Sequence, residues 1–174
     1  WEYFILEEFI EWDNLEDEKI QHDYIGNIQK VKDFIRWFCK TISPLWNKWI
    51  VHRDIKPNNI IVFNDKVNIL DFWIATYEEW WTVYTTVWNQ PKTFLYAAPE
   101  QVHWQKEFIS VKTDFFCLWI LAYKLYYWVL PFWNCPDEIA QNFQQNYLNF
   151  YLKPDDDLNN FFTFVFQKNI YERP

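Results

Sequence analysis

The sequence predicts a mainly α domain with a small β element, and three patterns carry that expectation. Residues 28–42 place Ile28, Val31, Ile35, Phe38 and Ile42 at three- and four-residue steps, the spacing of one buried helix face. Residues 115–133 are apolar on all sides apart from Lys124 and a few tyrosine hydroxyls, as in a helix buried all round. Between them, Ile60-Ile61-Val62 and Val67-Asn68-Ile69-Leu70 flank Asn64-Asp65-Lys66, the pattern of a short hairpin. The chain has 174 residues, 51% of them hydrophobic, enough for one domain with a real core.

The remaining elements follow in order. Residues 1–10 are rich in β-formers and read as a strand. The helix over 28–42 should end at Pro44, which lacks an amide donor and clashes one turn back. Ile50-Val51 then leads into a polar loop before the hairpin. Residues 71–100 show no period and read as an extended loop, a kind of segment that is usually functional or mobile. The stretch 115–133 is long enough to span a bilayer. Lys124 would be costly at that depth, so a buried helix is expected instead, with Asp114 as its N-terminal cap. Residues 137–145 and 158–168 read as shorter helices. Asp155-Asp156-Asp157 reads as a solvated helix start rather than a metal site. There is no internal repeat, low-complexity tract or linker.

A net charge of −8 without a basic run argues against nucleic-acid binding, which depends on phosphate neutralisation. Basic protein substrates are more compatible. Cys39, Cys117 and Cys135 are odd in number and widely spaced, neither a disulfide framework nor a zinc pattern. They are expected as reduced thiols of an intracellular, cytoplasmic protein. No signal peptide opens the chain. It starts on Trp1 and contains no methionine, which suggests a fragment.

The chemistry concentrates in His52-Arg53-Asp54-Ile55-Lys56-Pro57-Asn58-Asn59. Within a few residues stand a candidate base, Asp54, a cation for phosphate, Lys56, and a hard oxygen ligand, Asn59. That grouping suits phosphoryl transfer: a hydroxyl is oriented, phosphate charge is screened and Mg²⁺ is held on phosphate oxygens. The spacing resembles the catalytic loop of protein kinases, H-R-D-x-K-x-x-N. Asp71-Phe72-Trp73 is similar to the family's D-F-G, and Ala98-Pro99-Glu100 to its A-P-E. Asp114 stands where the family has a buried aspartate, and Arg173 where an arginine pairs with the A-P-E glutamate.

The resemblance implies a kinase-like C-terminal lobe: a helical bundle with a short hairpin carrying the catalytic loop. Residues 1–174 would be a partial kinase domain, hinge and C-terminal lobe, without the N-terminal lobe. That lobe would carry the Gly-rich loop, strand lysine and paired glutamate. Glu8-Phe9-Ile10 would form the hinge, with Glu8 and Ile10 pairing to the adenine of ATP through their backbone, and Ile61 would lie beneath it. Asp54 would orient the substrate hydroxyl, Lys56 would contact the transferring phosphoryl group, and Asn59 and Asp71 would hold Mg²⁺. His52 and Phe72 would stack to join the two motifs.

Lys56 and the run Thr93-Phe94-Leu95-Tyr96-Ala97-Ala98-Pro99-Glu100 resemble the serine/threonine class, where Thr93 would bridge Asp54 and Lys56. The implied activity is transfer of the ATP γ-phosphate to a protein hydroxyl in the parent chain. The alternative is a non-catalytic kinase-fold module that binds or scaffolds partners. Arg53 would pair with a phosphate on Thr82, Thr85 or Thr86.

The chain departs from the family in glycine usage. It has one glycine, Gly26, and 13 tryptophans, where ordinary usage of about 7% predicts about a dozen glycines. Trp12, Trp49, Trp73, Trp119, Trp128 and Trp133 stand at positions expected to be glycine. Parallel departures of this kind suggest a single cause, since one first-base change turns a glycine codon into a tryptophan codon. Trp73 should stiffen the backbone beside Asp71, and Trp119 should overpack the central helix. Glu7 would place a carboxylate at the back of the adenine pocket.

Overall fold

The computed structural model describes residues 12–63, 66–72, 76–77, 94–132, 135–145, 148–152 and 158–174. The expected strand over residues 1–10, Glu7, Glu8, Ile10, Trp73, the three candidate phosphosites, Thr93, Trp133 and Asp155–Asp157 lie outside the described residues.

Six helices and four short strands are described, in the order α1 (Glu18–His22), α2 (Ile28–Trp46), β1 (Ile50–Val51), β2 (Ile60–Phe63), β3 (Lys66–Ile69), β4 (Thr76–Tyr77), α3 (Pro99–Val102), α4 (Val111–Tyr127), α5 (Pro136–Gln144) and α6 (Leu158–Val165). The mainly α class with a small hairpin is therefore present. The antiparallel hairpin pairs Ile60 with Ile69 and Phe63 with Lys66. A second antiparallel pair sets Ile50 opposite Tyr77 and Val51 opposite Thr76. β4 thus interrupts what the sequence suggested was one long loop.

Helix α2 buries Val31, Phe34, Phe38, Ile42 and Trp46 along one face. Asn27 caps its start by accepting from the Lys30 amide at 3.0 Å. The helix does not stop before Pro44; the proline sits inside its last turn. A proline removes the amide that would bond the Lys40 carbonyl, and here the Ser43 hydroxyl donates to that carbonyl at 3.3 Å. The local substitute lets the helix continue to Trp46, whose ring extends the buried stripe.

Helix α4 runs through the centre, with Phe116, Leu118, Ile120, Leu121 and Leu125 fully buried. Its cap is Ser110, not Asp114: the Ser110 side chain accepts from the Lys112 amide, and Thr113 Oγ1 accepts from the Ser110 amide at 3.0 Å. The apolar run misplaced the start because the capping turn itself is polar. It misplaced the end because Trp128 turns left-handed and closes the helix at Tyr127. No helix among the described residues is long and apolar enough to cross a membrane.

Around α4, Phe116 stacks on Phe132 with ring centroids 5.8 Å apart, and Phe132 meets Phe143 edge-on at 5.1 Å. Phe166 lies 5.5 Å from Phe116, and Tyr123 lies 4.9 Å from Phe162. Such pairs add about 0.5–1.5 kcal/mol each beyond area burial, so this cluster fixes how α5 and α6 seat on α4. Trp119 does not enter that interior. It lies half-buried on the outer side of α4, edge-on to Phe161 at 5.1 Å, so the expected overpacking is absent.

The glycine-like tryptophans divide by backbone. Trp49 (φ 58°) and Trp128 (φ 64°) are left-handed, as a glycine site requires, and so is Trp104 (φ 58°), which the sequence did not flag. Trp12 is not among the left-handed residues; it stacks on Phe63 at 3.7 Å. A left-handed L-residue costs roughly 1–2 kcal/mol, and the exposed rings of Trp49 and Trp104 recover little of it. Replacing Trp49 or Trp104 with glycine should therefore raise stability by about 1 kcal/mol each in urea unfolding. Trp128→Gly should gain less, because the Trp128 ring receives the Lys124 ammonium at 4.3 Å. A loss of stability at Trp49 and Trp104 would mean that their rings pack more tightly than their exposure indicates.

Candidate active site

The loop from His52 to Asn59 joins β1 to the hairpin and is held from beneath by α4. The fully buried Asp114 carboxylate accepts from the His52 amide (2.8 Å), the Arg53 amide (2.8 Å) and the Trp46 indole (2.9 Å). Burial pushes this carboxyl above its ordinary range, and the His52 ring and those three donors oppose that push. Arg53 adopts a left-handed backbone (φ 73°) between these bonds. Burial also lowers the Arg53 guanidinium from its usual value, with Asp114 opposing.

That turn brings the candidate residues together. Lys56 Nζ lies 2.7 Å from Asp54 Oδ2. Asn59 Nδ2 donates to the Asp54 carbonyl at 2.8 Å and to Asp54 Oδ2 at 2.9 Å. Asp54, Lys56 and Asn59 are all buried. A single turn of 3₁₀ helix, Pro57–Asn59, returns Asn59 towards Asp54, closed by the Asn59 amide on the Lys56 carbonyl at 3.0 Å. The three contacts that Asn59 and Lys56 make with Asp54 reach its Oδ2 or its backbone carbonyl.

The hairpin register supplies the other half. The Leu70 amide donates to the Asn59 carbonyl at 2.8 Å, one step beyond the Ile60–Ile69 pair. Asn59 and Asp71 therefore flank the open end of the same hairpin. Asp71 is exposed and left-handed (φ 62°), a conformation aspartate tolerates better than most residues. His52 bridges the two motifs. Its Nδ1 accepts from the Asp54 amide at 3.2 Å, so the proton sits on Nε2, which donates to the Leu70 carbonyl at 2.9 Å. The Phe72 ring meets the His52 ring edge-on at 4.6 Å. Left-handed backbone at Arg53 and Asp71, on either side of one site, is the placement expected where strain serves function.

The donor set suits Mg²⁺. Asn59 Nδ2 is committed to Asp54, so the hard oxygens that Asn59 and Asp71 bring to this end of the hairpin are the amide oxygen of one and the exposed carboxylate of the other. Two hard oxygens suffice for an ion that keeps waters and phosphate oxygens for its other positions. Ile61 is buried on β2 and bridged to Asn14, with the Leu15 amide bonded to the Ile60 carbonyl at 2.7 Å. This fixes the segment after residue 12 against the hairpin. Glu8, Ile10 and Thr93 lie outside the described residues.

Farther from the loop, Arg173 makes a bidentate pair with Glu100 at 2.8 and 2.7 Å, as the resemblance implied. Two residues at the site carried no sequence signal. Trp46 lies beyond the proline expected to end its helix, so the stripe over residues 28–42 did not reach it. Gln101, whose side chain reaches the Arg53 carbonyl at 2.8 Å, follows Glu100 with no motif to single it out.

Comparison with known proteins agrees with this geometry. The family model for the protein kinase domain matches residues 2–173. Myosin light chain kinase 3 of Homo sapiens is 27% identical over 145 residues, 82% of this chain and 17% of that protein. The titin homolog of Caenorhabditis elegans is 25% identical over 140 residues, 79% of this chain and 1% of that protein. Eukaryotic translation initiation factor 2-alpha kinase 3 of Rattus norvegicus is 37% identical over 100 residues, 51% of this chain and 9% of that protein. The chain thus spans under a fifth of the length of each of these relatives. With a family match across nearly its whole length and the loop, hairpin and ion pair in place, this chain belongs to the protein kinase domain family.

Proposed function

We propose that residues 1–174 are the hinge and C-terminal lobe of a serine/threonine protein kinase, whose parent chain transfers the γ-phosphate of ATP to a protein hydroxyl. The observation that carries this reading is the buried trio of Asp54, Lys56 and Asn59, joined through Asp54 Oδ2 at 2.7 and 2.9 Å. Asp54 orients the attacking hydroxyl and receives its proton. The hydroxyl oxygen bonds to the γ-phosphorus as the bond to the β–γ bridging oxygen breaks, and ADP leaves. Lys56, whose ammonium lies on Asp54 Oδ2, offers its charge to the transferring phosphoryl group. Asn59 and Asp71 would hold Mg²⁺, whose charge would screen the phosphate oxygens.

Glu8 and Ile10 pair with adenine through their backbone, and Ile61 lies beneath it. Thr93 would bridge Asp54 and Lys56, as the family pattern implies, and with Lys56 would favour serine or threonine over tyrosine as acceptor. The names of two relatives, a myosin light chain kinase and an initiation factor 2-alpha kinase, support a protein as the acceptor.

The test is phosphoryl transfer by the full parent chain with ATP, Mg²⁺ and a mixed serine/threonine/tyrosine peptide library. Asp54→Asn should lower kcat by at least about a hundredfold, the usual scale for a positioned proton acceptor, with little change in ATP binding. Transfer that survives the substitution removes Asp54 from this role. Nucleotide binding without transfer in the unmutated chain favours a scaffold.

A further inference from the structure

Arg53 is held at both ends by buried side chains. Asp114 accepts from its amide at 2.8 Å, and Gln101 Nε2 donates to its carbonyl at 2.8 Å. The same Gln101 amide uses Oε1 to accept from the Ala98 amide at 2.9 Å and from the Cys117 thiol at 3.4 Å. Only one orientation of the amide satisfies a carbonyl on one side and an N–H on the other, so its two ends are assigned by their partners. Gln101 is 3% exposed, where an unmet carbonyl or amide is costly.

The carbonyl it holds belongs to the left-handed residue immediately before Asp54, and the amide it holds belongs to the residue that opens α3. No other standard side chain at this length offers a neutral donor and acceptor together. A carboxylate would meet the Arg53 carbonyl with like partial charge, and an apolar side chain would leave both groups unmet.

We propose that Gln101 is a positioning residue, which locks Arg53 in its left-handed turn and so aims the Asp54 carboxylate while tying the catalytic loop to the segment that leads into α3. The proposal rests on the reading of Asp54 as the residue that orients the acceptor hydroxyl. Gln101 touches neither substrate nor the reacting atoms; it acts on the peptide unit between Arg53 and Asp54.

The test uses Gln101→Glu and Gln101→Leu in the full parent chain, with kinetics and amide hydrogen exchange read over pH. At pH 8 the Gln101→Glu variant should lose about tenfold or more in kcat, with KM for ATP little changed, the scale of one lost buried hydrogen bond. A buried carboxyl titrates above its usual range, and once protonated it again offers a donor and an acceptor. Activity relative to the unmutated chain should therefore recover as pH falls from about 8 to 6. Gln101→Leu should lose activity at every pH.

Exchange follows the same pattern. Gln101→Glu should keep protection at Ala98 but lose it across residues 52–56 at pH 8, and Gln101→Leu should lose both. Parallel pH profiles for the two variants, or unchanged protection at 52–56, would overturn the proposal. Exchange requires no phosphoryl transfer. An unmutated chain that fails to phosphorylate defeats the reading of Asp54, whereas the exchange pattern separately decides Gln101.

Discussion

Replacing Asp114 with alanine should cost about 3–5 kcal/mol in urea unfolding and remove phosphoryl transfer from the parent chain, more than any other change of comparable size near the loop. The carboxylate is the shared acceptor for the amides of His52 and Arg53 and the indole of Trp46. Without it, three donors, two of them buried, lose their partner at once. Each such loss costs about 1–3 kcal/mol, and the terms fall short of additive because the loop can shift towards water. Against a typical net stability of about 5–15 kcal/mol, that is a large fraction of the whole.

Two further variants separate the contributions. Trp46→Phe removes one donor and keeps the ring in the core, so it should cost only about 1 kcal/mol. Asp114→Asn keeps the volume but offers an NH₂ to donors that need an acceptor, and should fall between the two. Asp114→Ala costing less than Trp46→Phe would mean that the loop is anchored elsewhere.

The same network shows why some of this protein was legible from residues alone and some was not. Periodicity disclosed α2 because Val31, Phe38 and Ile42 face one way. It assigned Ile35 to the buried face, whereas Phe34 fills that place and Ile35 is half-buried; three- and four-residue steps cannot tell the centre of a stripe from its margin. Pro44 misled because a rule about missing amides says nothing of Ser43, which supplies the bond from the side. Asp114 misled at first as a cap because a carboxylate near a helix start usually serves there. Its real partners, His52 and Arg53, are 62 and 61 residues away.

The loop from His52 to Asn59 was the opposite case. Its contacts, from Asp54 to Lys56 and to Asn59, are local, so spacing alone encodes most of the geometry. What spacing could not encode is support across the fold. Trp46 and Gln101 reach the loop from α2 and α3, and nothing in their own neighbourhoods distinguishes them from core and surface residues. The left-handed tryptophans sit between these cases: the family's glycine positions marked Trp49 and Trp128, but Trp104 emerged only from its backbone angle.

Removing the Arg173 guanidinium should cost nearly as much as removing the Asp114 carboxylate, and by a different mechanism. Arg173 is 4% exposed and reaches Glu100, 73 residues earlier, through two parallel bonds. It also donates to the Gln167 carbonyl at 2.7 Å and the Lys168 carbonyl at 3.1 Å, and its guanidinium lies 4.5 Å from the Phe116 ring centroid. It therefore ties the C-terminal segment to both α3 and α4. Arg173→Met keeps much of the volume but strands a buried carboxylate, a loss of about 3–5 kcal/mol.

Glu100→Gln should cost less. Arg173 keeps its two carbonyls and the aromatic face, and the Thr113 hydroxyl, which donates to Glu100 Oε1 at 2.7 Å, still finds an oxygen. The informative measurement is the double variant. If the penalty of Arg173→Met is chiefly an unpaired charge, adding Glu100→Gln should return at least about 1 kcal/mol of it, a coupling that urea unfolding resolves. If the two losses simply add, the pair contributes through packing on Phe116 and the carbonyl bonds. The Glu100–Arg173 charges would then matter less to the fold than the aromatic face and backbone that Arg173 covers.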